Sequence, residues 1–282
     1  MAEYLTVTCR LPASAEEPLA HAMQDWPVLG CQVEDAGGDV EVTVYLGAGA
    51  TSAVPAVQEG LRRLGASDVE TGPFAEHDWL SEYRRTVTPR ALGQRLWVDP
   101  HPGSPTPPPE GRIHLLVEPR QAFGTGSHES TQLVLGVLES LELEGRSVLD
   151  VGTGSGILAM AARALGARRV VGCDIDIDAV FVARQTVAEQ IRPLPVALFA
   201  GTTQAVRVST PFDIVLANML PAQFEPLLVD VRRALGPGGT LVLSGLMADQ
   251  RAAVAGEVER CDFEPALVHE LGEWVALVCR AV

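Results

Sequence analysis

The 282-residue chain contains no lysine; all 21 of its basic residues are arginine. Every mechanism that needs a lysine amine, as a Schiff base or as a general base, is thereby excluded. Cysteine is sparse. The five thiols (Cys9, Cys31, Cys173, Cys261, Cys279) are scattered, odd in number and free of any C-x-x-C pair. They predict reduced, mostly buried cysteines in a cytoplasmic protein. The six histidines form no H-x-x-x-H or H-E-x-x-H, so no metal site is expected. No apolar run approaches the ~18 residues that a spanning helix requires. The opening MAEYLTVTCRLPAS lacks the basic start and unbroken apolar stretch of a signal peptide, and no membrane partner is expected. G-x-x-x-x-G-K-[ST] is also missing, which excludes a phosphate-binding P-loop.

What is present belongs to an ordinary globular protein: 47% hydrophobic and 20% charged residues. The length suggests about two domains. The net charge is −15 and no basic patch is evident, so direct nucleic-acid binding is not expected. Such acidity either steers cationic partners by long-range attraction or merely keeps the protein in solution.

Residues 1–72 read as a small α+β domain. Tyr4–Cys9 alternates like a strand, and Ser14-Ala15-Glu16-Glu17 reads as a capping box opening a helix towards Trp26. Cys31–Asp35 and Val40–Leu46 flank Gly37-Gly38, a hairpin signal. Val54–Leu64 is amphipathic, and Ser67–Glu70 reads as a last strand. Strand–helix–strand–strand–helix–strand predicts a ferredoxin-like module. Residues 73–111 read as a linker: a helix over Glu76–Arg85, then some strand character to Val98. The proline-rich Asp99–Gly111 would be an exposed loop. From 112 to 282 strands and helices alternate, and a final hairpin (Ala266–His269, Trp274–Cys279) closes the run. An α/β, Rossmann-like seven-stranded sheet is predicted there.

The most informative segment is Val148–Gly156, VLDVGTGSG. A buried strand ends in Asp150, and Gly152, Gly154 and Gly156 then offer bare backbone against which a ligand can lie. Ile157–Leu165 has helical spacing, so the loop opens a helix whose free N–H groups face the ligand. A second strand, Arg169–Cys173, ends in Asp174, 22 residues beyond Gly152. An acid about 20 residues past such a loop holds ribose hydroxyls. The spacing is G-x-G-x-G rather than the dinucleotide G-x-G-x-x-G. It resembles motif I of the Rossmann-like S-adenosylmethionine-dependent methyltransferases, and an acid before the loop suits their cationic ligand. A packing loop without ligand is the alternative.

Three further segments should meet at the carboxyl ends of the strands. In Phe123–Thr131 (FGTGSHEST), Gly124 and Gly126 would let backbone lie against the cofactor. Thr131 would offer its hydroxyl at the start of a helix from Gln132, and Phe123 would shield the sulfonium. Ser130 or Thr131 serving only as a helix cap is the other reading. Phe199–Thr203 is placed to contact adenine, through Thr202 among others. Asn218-Met219-Leu220-Pro221 ends the fourth strand, where an amide can accept a hydrogen bond from a nucleophilic nitrogen; a structural asparagine is the alternative. The segment lacks the aromatic of [DN]-P-P-[FYW], which argues against planar amide or adenine substrates. His128 is the nearby imidazole that could act as a base, with loop packing as its other role.

Taken together, AFGTGSHEST (Ala122–Thr131), VLDVGTGSGILA (Val148–Ala159), VVGCDIDIDAV (Val170–Val180), ANMLP (Ala217–Pro221), LSG (Leu243–Gly245) and GEW (Gly272–Trp274) resemble the bacterial methyltransferases of ribosomal protein L11. The HDWL-x-x-[YW]-R-R element at His77–Arg85 adds a weaker N-terminal match. The resemblance implies that S-adenosylmethionine is bound by Thr131, Gly152, Asp174 and Asn218, with Gly154 beside them in the glycine loop. It implies methylation of lysine ε-amines and of the N-terminal α-amine, up to trimethylation, of the ribosomal stalk-base protein before or during ribosome assembly. The N-terminal module would recognise that protein. The chain has Ser130-Thr131 where the family more often has two threonines, and Met219-Leu220 where I-L or L-Y is common. A small-molecule or RNA methyltransferase, or a non-catalytic cofactor-binding module, are the competing functions.

Overall fold

Alternate residues of the first strand, β1 (Tyr4–Pro12), face one way: Val7, Cys9 and Leu11 are buried. The chain then makes a 3-10 turn over Ala13–Ala15 into α1 (Glu16–Ala22). Ser14 therefore sits inside the turn, and Pro12 precedes it without a side-chain cap. The other half of the expected capping box, the Glu17 side chain, lies outside what the structure describes. Strands β2 (Gly30–Asp35) and β3 (Asp39–Leu46) pair antiparallel. Their turn places Gly37 and Gly38 both at positive φ (78° and 114°), which a side chain would resist. Val40, Val42, Val44 and Leu46 of β3 pack with Val57 and Leu61, one turn apart on α2 (Val54–Arg63). With β4 (Ser67–Phe74) the sheet order is β2-β3-β1-β4, antiparallel throughout.

The computed structural model describes residues 4–23, 26–47, 50–74, 84, 86–120, 122–206 and 210–282. Most of the expected helix and motif at 76–85 lies outside the described residues. Two compact units divide at Met1–Asp78 and Trp79–Val282, so the second unit begins well before residue 112. The reason is local pairing. Strands β5 (Arg90–Leu92), β6 (Leu96–Asp99) and β7 (Ile113–Leu116) form their own three-stranded sheet. Leu92, Leu96, Val98 and Leu115 join the core of that unit. Nor is the proline-rich stretch exposed from its start. Asp99 is fully buried; its carboxylate accepts from the backbone N–H groups of His101 and Thr106 and lies 3.4 Å from Nδ1 of His101 and Nε2 of His114. From Gly103 to Pro107 the loop is exposed.

The main sheet comprises β8 (Ser147–Val151), β9 (Arg169–Asp174), β10 (Ala197–Ala200), β11 (Phe212–Asn218), β12 (Leu235–Met247), β13 (Phe263–Leu271) and β14 (Trp274–Ala281). Its order is β10-β9-β8-β11-β12-β14-β13. The first five are parallel, and β14 runs antiparallel to both β12 and β13. Side chains alternate between two cores. Val148, Ile214, Leu216 and Val242 pack with helices α3 (Glu129–Ser140) and α4 (Ile157–Ala164). Leu149, Val151, Val215, Ala217, Leu241 and Leu243 pack on the other face, with α7 (Leu228–Ala234) and α8 (Arg251–Arg260). Helices α5 (Ile177–Ala188) and α6 (Pro221–Phe224) follow β9 and β11. Burial on both faces explains the continuous apolar runs of the central strands. Gly236–Gly239 bulges within the β11–β12 pairing, between Leu235 opposite Phe212 and Thr240 opposite Ile214. Among the described residues no helix is long and apolar enough to cross a membrane.

Candidate active site

The carboxyl ends of β8, β9, β10 and β11 open into a cleft of about 630 Å³, within the range of small-molecule sites. Phe123, His128, Gly152, Gly154, Asp174, Thr202 and Asn218 all line it. Thr131 does not.

The glycine loop is held from below. The N–H groups of Gly152 and Thr153 donate to the Cys173 carbonyl at 2.9 and 3.0 Å. Gly152 and Gly154 have φ of +69° and +52°, and both leave bare backbone on the wall of the cleft. A Cβ on Gly154 would stand 2.5 Å from the Phe123 carbonyl oxygen. Gly156 departs from expectation: it caps α4 at φ +83°, and a Cβ there would meet Ala183 of α5 at 3.3 Å. It serves helix packing and lies off the cleft. Gly124 and Gly126 likewise press on protein, against Ser155 and against Leu92 and Ile157, and neither lines the cleft.

Asp150 also points away from the ligand side. Its neighbours in β8 alternate faces, which turns its carboxylate under α4, where Oδ2 accepts from Thr153 Oγ1 (2.7 Å) and the Ala159 N–H (3.2 Å). Oδ1 has no hydrogen-bond partner. Burial raises its pKa to about 6, against the lowering effect of those two hydrogen bonds and with help from the Asp174 charge. A carboxyl whose native pKa lies above its unfolded value binds protons more tightly when folded, so stability falls as pH rises from about 3.8 to about 6. Asp150→Asn can still accept those two bonds but carries no charge. Urea unfolding at pH 5 and pH 8 should show the variant gaining on the wild type by about 1 kcal/mol across that interval. A constant difference would mean that Asp150 does not titrate there.

Asp174 ends β9. Its Oδ2 accepts from the Gly154 N–H at 3.0 Å and its Oδ1 from the Asp176 N–H at 3.1 Å. The carboxylate thus ties the glycine loop to the start of α5 and retains lone pairs towards the cleft. Beside it, Cys173 is inert as a nucleophile: burial, then the Asp150 and Asp174 charges, push its thiol up to about 12. Gly201, Thr202 and Thr203 supply the wall after β10.

At the other end stands Asn218, the last residue of β11. Its Nδ2 donates to Thr131 Oγ1 at 3.1 Å, while its Oδ1 has no hydrogen-bond partner. Helix α3 starts at Glu129, three residues earlier than expected, and its cap is His128. Neither Ser130 nor Thr131 is the cap; Thr131 is fully buried and reaches the site only through Asn218. His128 Nδ1 accepts from the Ser130 N–H (3.3 Å) and lies 2.8 Å from Ser130 Oγ. With its accepting nitrogen engaged in the cap, the ring is poorly placed to act as a base. Ser130, Asp176, Gln223, Gly245 and Trp274 also line the cleft, beside apolar residues that include Met219 and Leu220. Gly245 and Trp274 lie in the LSG and GEW segments, a signal that the sequence reading assigned to family likeness without a role. The sequence offers Ser130 as a helix cap and Asp176 within Val170–Val180, and nothing local marks Gln223.

The bare glycine backbone and the strand-end carboxylate of Asp174 fit S-adenosylmethionine, which needs an acceptor for its ribose hydroxyls and close approach at the loop. Comparison with known proteins agrees. The family model described as "Ribosomal protein L11 methyltransferase (PrmA)" matches residues 4–281. A ribosomal protein L11 methyltransferase of Pelobacter propionicus is 34% identical over 304 aligned positions, covering 98% of this chain and 97% of the relative. That of Geobacter metallireducens is 40% identical over 208, covering 73% and 67%. Among solved structures, the ribosomal protein L11 methylase of Lactobacillus delbrueckii subsp. bulgaricus superposes with a TM-score of 0.63 at 28% identity, over 70% of this chain and all of that one. Matched along nearly its whole length, the chain belongs to the ribosomal protein L11 methyltransferase family and is an S-adenosylmethionine-dependent methyltransferase.

Proposed function

We propose that the protein methylates amine nitrogens of ribosomal protein L11, both lysine ε-amines and the N-terminal α-amine, in the cytoplasm before the substrate is locked into a ribosome. In this reading the four-stranded N-terminal unit is a ferredoxin-like substrate-recognition module, and the seven-stranded unit is catalytic. The relatives, ribosomal protein L11 methyltransferases by name, support the substrate. The observation that carries the chemistry is Asn218: its amide nitrogen is engaged by Thr131, which leaves Oδ1 as the acceptor at the end of β11. An acceptor there orients an N–H of a neutral amine and aims its lone pair.

S-adenosylmethionine supplies an electrophilic methyl group on a sulfonium. Glycines 152 and 154, Asp174 and Thr202 would hold it. The chain's own task is alignment and exclusion of water. A lysine near pKa 10.4 must lose a proton first, at a cost of about 4 kcal/mol at pH 7.5, whereas an α-amine costs far less. An apolar wall containing Met219 and Leu220 disfavours the ammonium form and recovers part of that cost.

The test is transfer of labelled methyl to free L11 by the full-length protein, read by mass spectrometry. Label on lysine and N-terminal amines is expected; label confined to RNA or small amines would overturn the reading. Thr131→Val, which removes the acceptor for Asn218 Nδ2, should lower kcat about tenfold with cofactor affinity nearly unchanged, and Thr131→Ser should restore it. A parallel loss of cofactor affinity would make Thr131 a binding residue instead.

A further inference from the structure

Three aromatic rings meet in the cleft. His128 stands with its ring centroid 5.3 Å from that of Phe123 and 4.5 Å from that of Trp274, at interplanar angles of 63° and 69°. All three residues line the same cleft as Asn218. Phe123 is 58% exposed, so core packing does not explain it. The framework around them is tied down. The His128 ring is fixed by its bonds to Ser130 at the start of α3, and Thr131 on the same turn holds Asn218. Asn218 pairs with Ser244 in β12, and Met247 further along β12 pairs with Trp274 in β14. The rings and the amide oxygen therefore belong to one end of the sheet.

We infer that Phe123, His128 and Trp274 form a cation–π subsite for an alkylated ammonium group, the N-methylated side chain or terminus of the acceptor. The inference rests on the amine-methylating function proposed above and adds a binding site to it. A hydrogen-bonding acceptor such as Asn218 Oδ1 needs an N–H. Each methyl added to nitrogen removes one, and a quaternary ammonium has none left. Ring faces attract the positive charge whatever its number of N–H groups, and the interaction strengthens where water is excluded. A site built from both devices can retain an amine that is already methylated. A site built from the amide alone would release it.

The experiment uses the full-length protein saturated with S-adenosylhomocysteine, which fills the cofactor part of the cleft without a sulfonium charge. Tetramethylammonium and neopentyl alcohol, a neutral probe with the same branched core and one added hydroxyl, are then titrated separately, with binding followed by saturation-transfer NMR. Tetramethylammonium should bind at least about tenfold more tightly, and Trp274→Ala should lower its affinity about tenfold or more, with Trp274→Phe between the two. Equal or tighter binding of the neutral probe would overturn the subsite, since a merely apolar pocket prefers no charge. If Trp274→Ala fails to fold, the comparison of the two probes on the wild type decides alone. Failure to bind S-adenosylhomocysteine would instead strike at the underlying methyltransferase site, and methyl transfer to L11 with no preference for the cationic probe would sink only the aromatic subsite.

Discussion

Asn218→Ala is expected to lower kcat for methyl transfer by about two orders of magnitude, while the dissociation constant for S-adenosylmethionine stays within about threefold. The amide sits at the end of β11, held by the strand ladder to Ser244 on one side and by Thr131 through its side chain on the other. Removing it takes away the acceptor that orients the amine and leaves the glycine loop and Asp174 intact. Loss of orientation alone costs about a hundredfold when reacting atoms shift by about an ångström. Single-turnover rates against L11, with cofactor affinity from calorimetry on the same preparations, separate the two quantities. A variant that binds cofactor poorly but turns over normally at saturation would reverse the assignment. Asn218→Asp is informative beside it. A carboxylate retains an acceptor but faces Thr131 Oγ1 with an oxygen that must now accept from the hydroxyl, so partial activity is expected.

Why Asn218 and Asp174 were legible in the sequence, and other residues were not, follows from how each is placed. Both end parallel strands, and open α/β sheets bind ligands at the carboxyl ends of their strands; apolar runs bounded by a polar residue give such positions away. Glycines carry no such mark. Gly152 and Gly154 line the cleft while Gly124, Gly126 and Gly156 do not, yet all five have positive φ. The pattern announces a backbone conformation and is silent on which side the ligand lies. Thr131 was misplaced because α3 begins at Glu129 under a histidine cap, whereas common caps are serine, threonine, aspartate and asparagine. One turn of helix moved the hydroxyl from the cleft wall to the core. Asp150 was misread for a related reason: in a strand buried on both faces, polarity does not reveal the side to which a residue points. The aromatic trio draws on segments far apart in the chain, and only the antiparallel return of β14 beside β12 brings Trp274 to the site.

Asp174→Ala should produce the complementary result: S-adenosylmethionine affinity falls by about fiftyfold or more, with a smaller change in kcat at saturation. Two losses combine. The carboxylate offers charge-assisted acceptance to ribose hydroxyls, each such bond being worth roughly 1.5–3 kcal/mol. It also fixes the loop, because Oδ2 accepts from Gly154 N–H and Oδ1 from Asp176 N–H. Without it the glycine backbone loses its anchor from β9, and Gly154 is free to leave the +52° conformation that keeps the wall flat. Asp174→Asn separates the contributions. An amide oriented to accept from Gly154 turns its NH₂ towards the Asp176 N–H, so the loop keeps one tether and loses the other along with the charge. Its affinity should fall between wild type and alanine. Were the asparagine variant to bind as tightly as wild type, the negative charge would be irrelevant and loop anchoring would account for the whole effect. Were alanine to bind normally, Asp174 would not be a cofactor residue, and the ribose hydroxyls would have to be held by Asp176, one turn-start further on and already accepting from the Asp178 N–H.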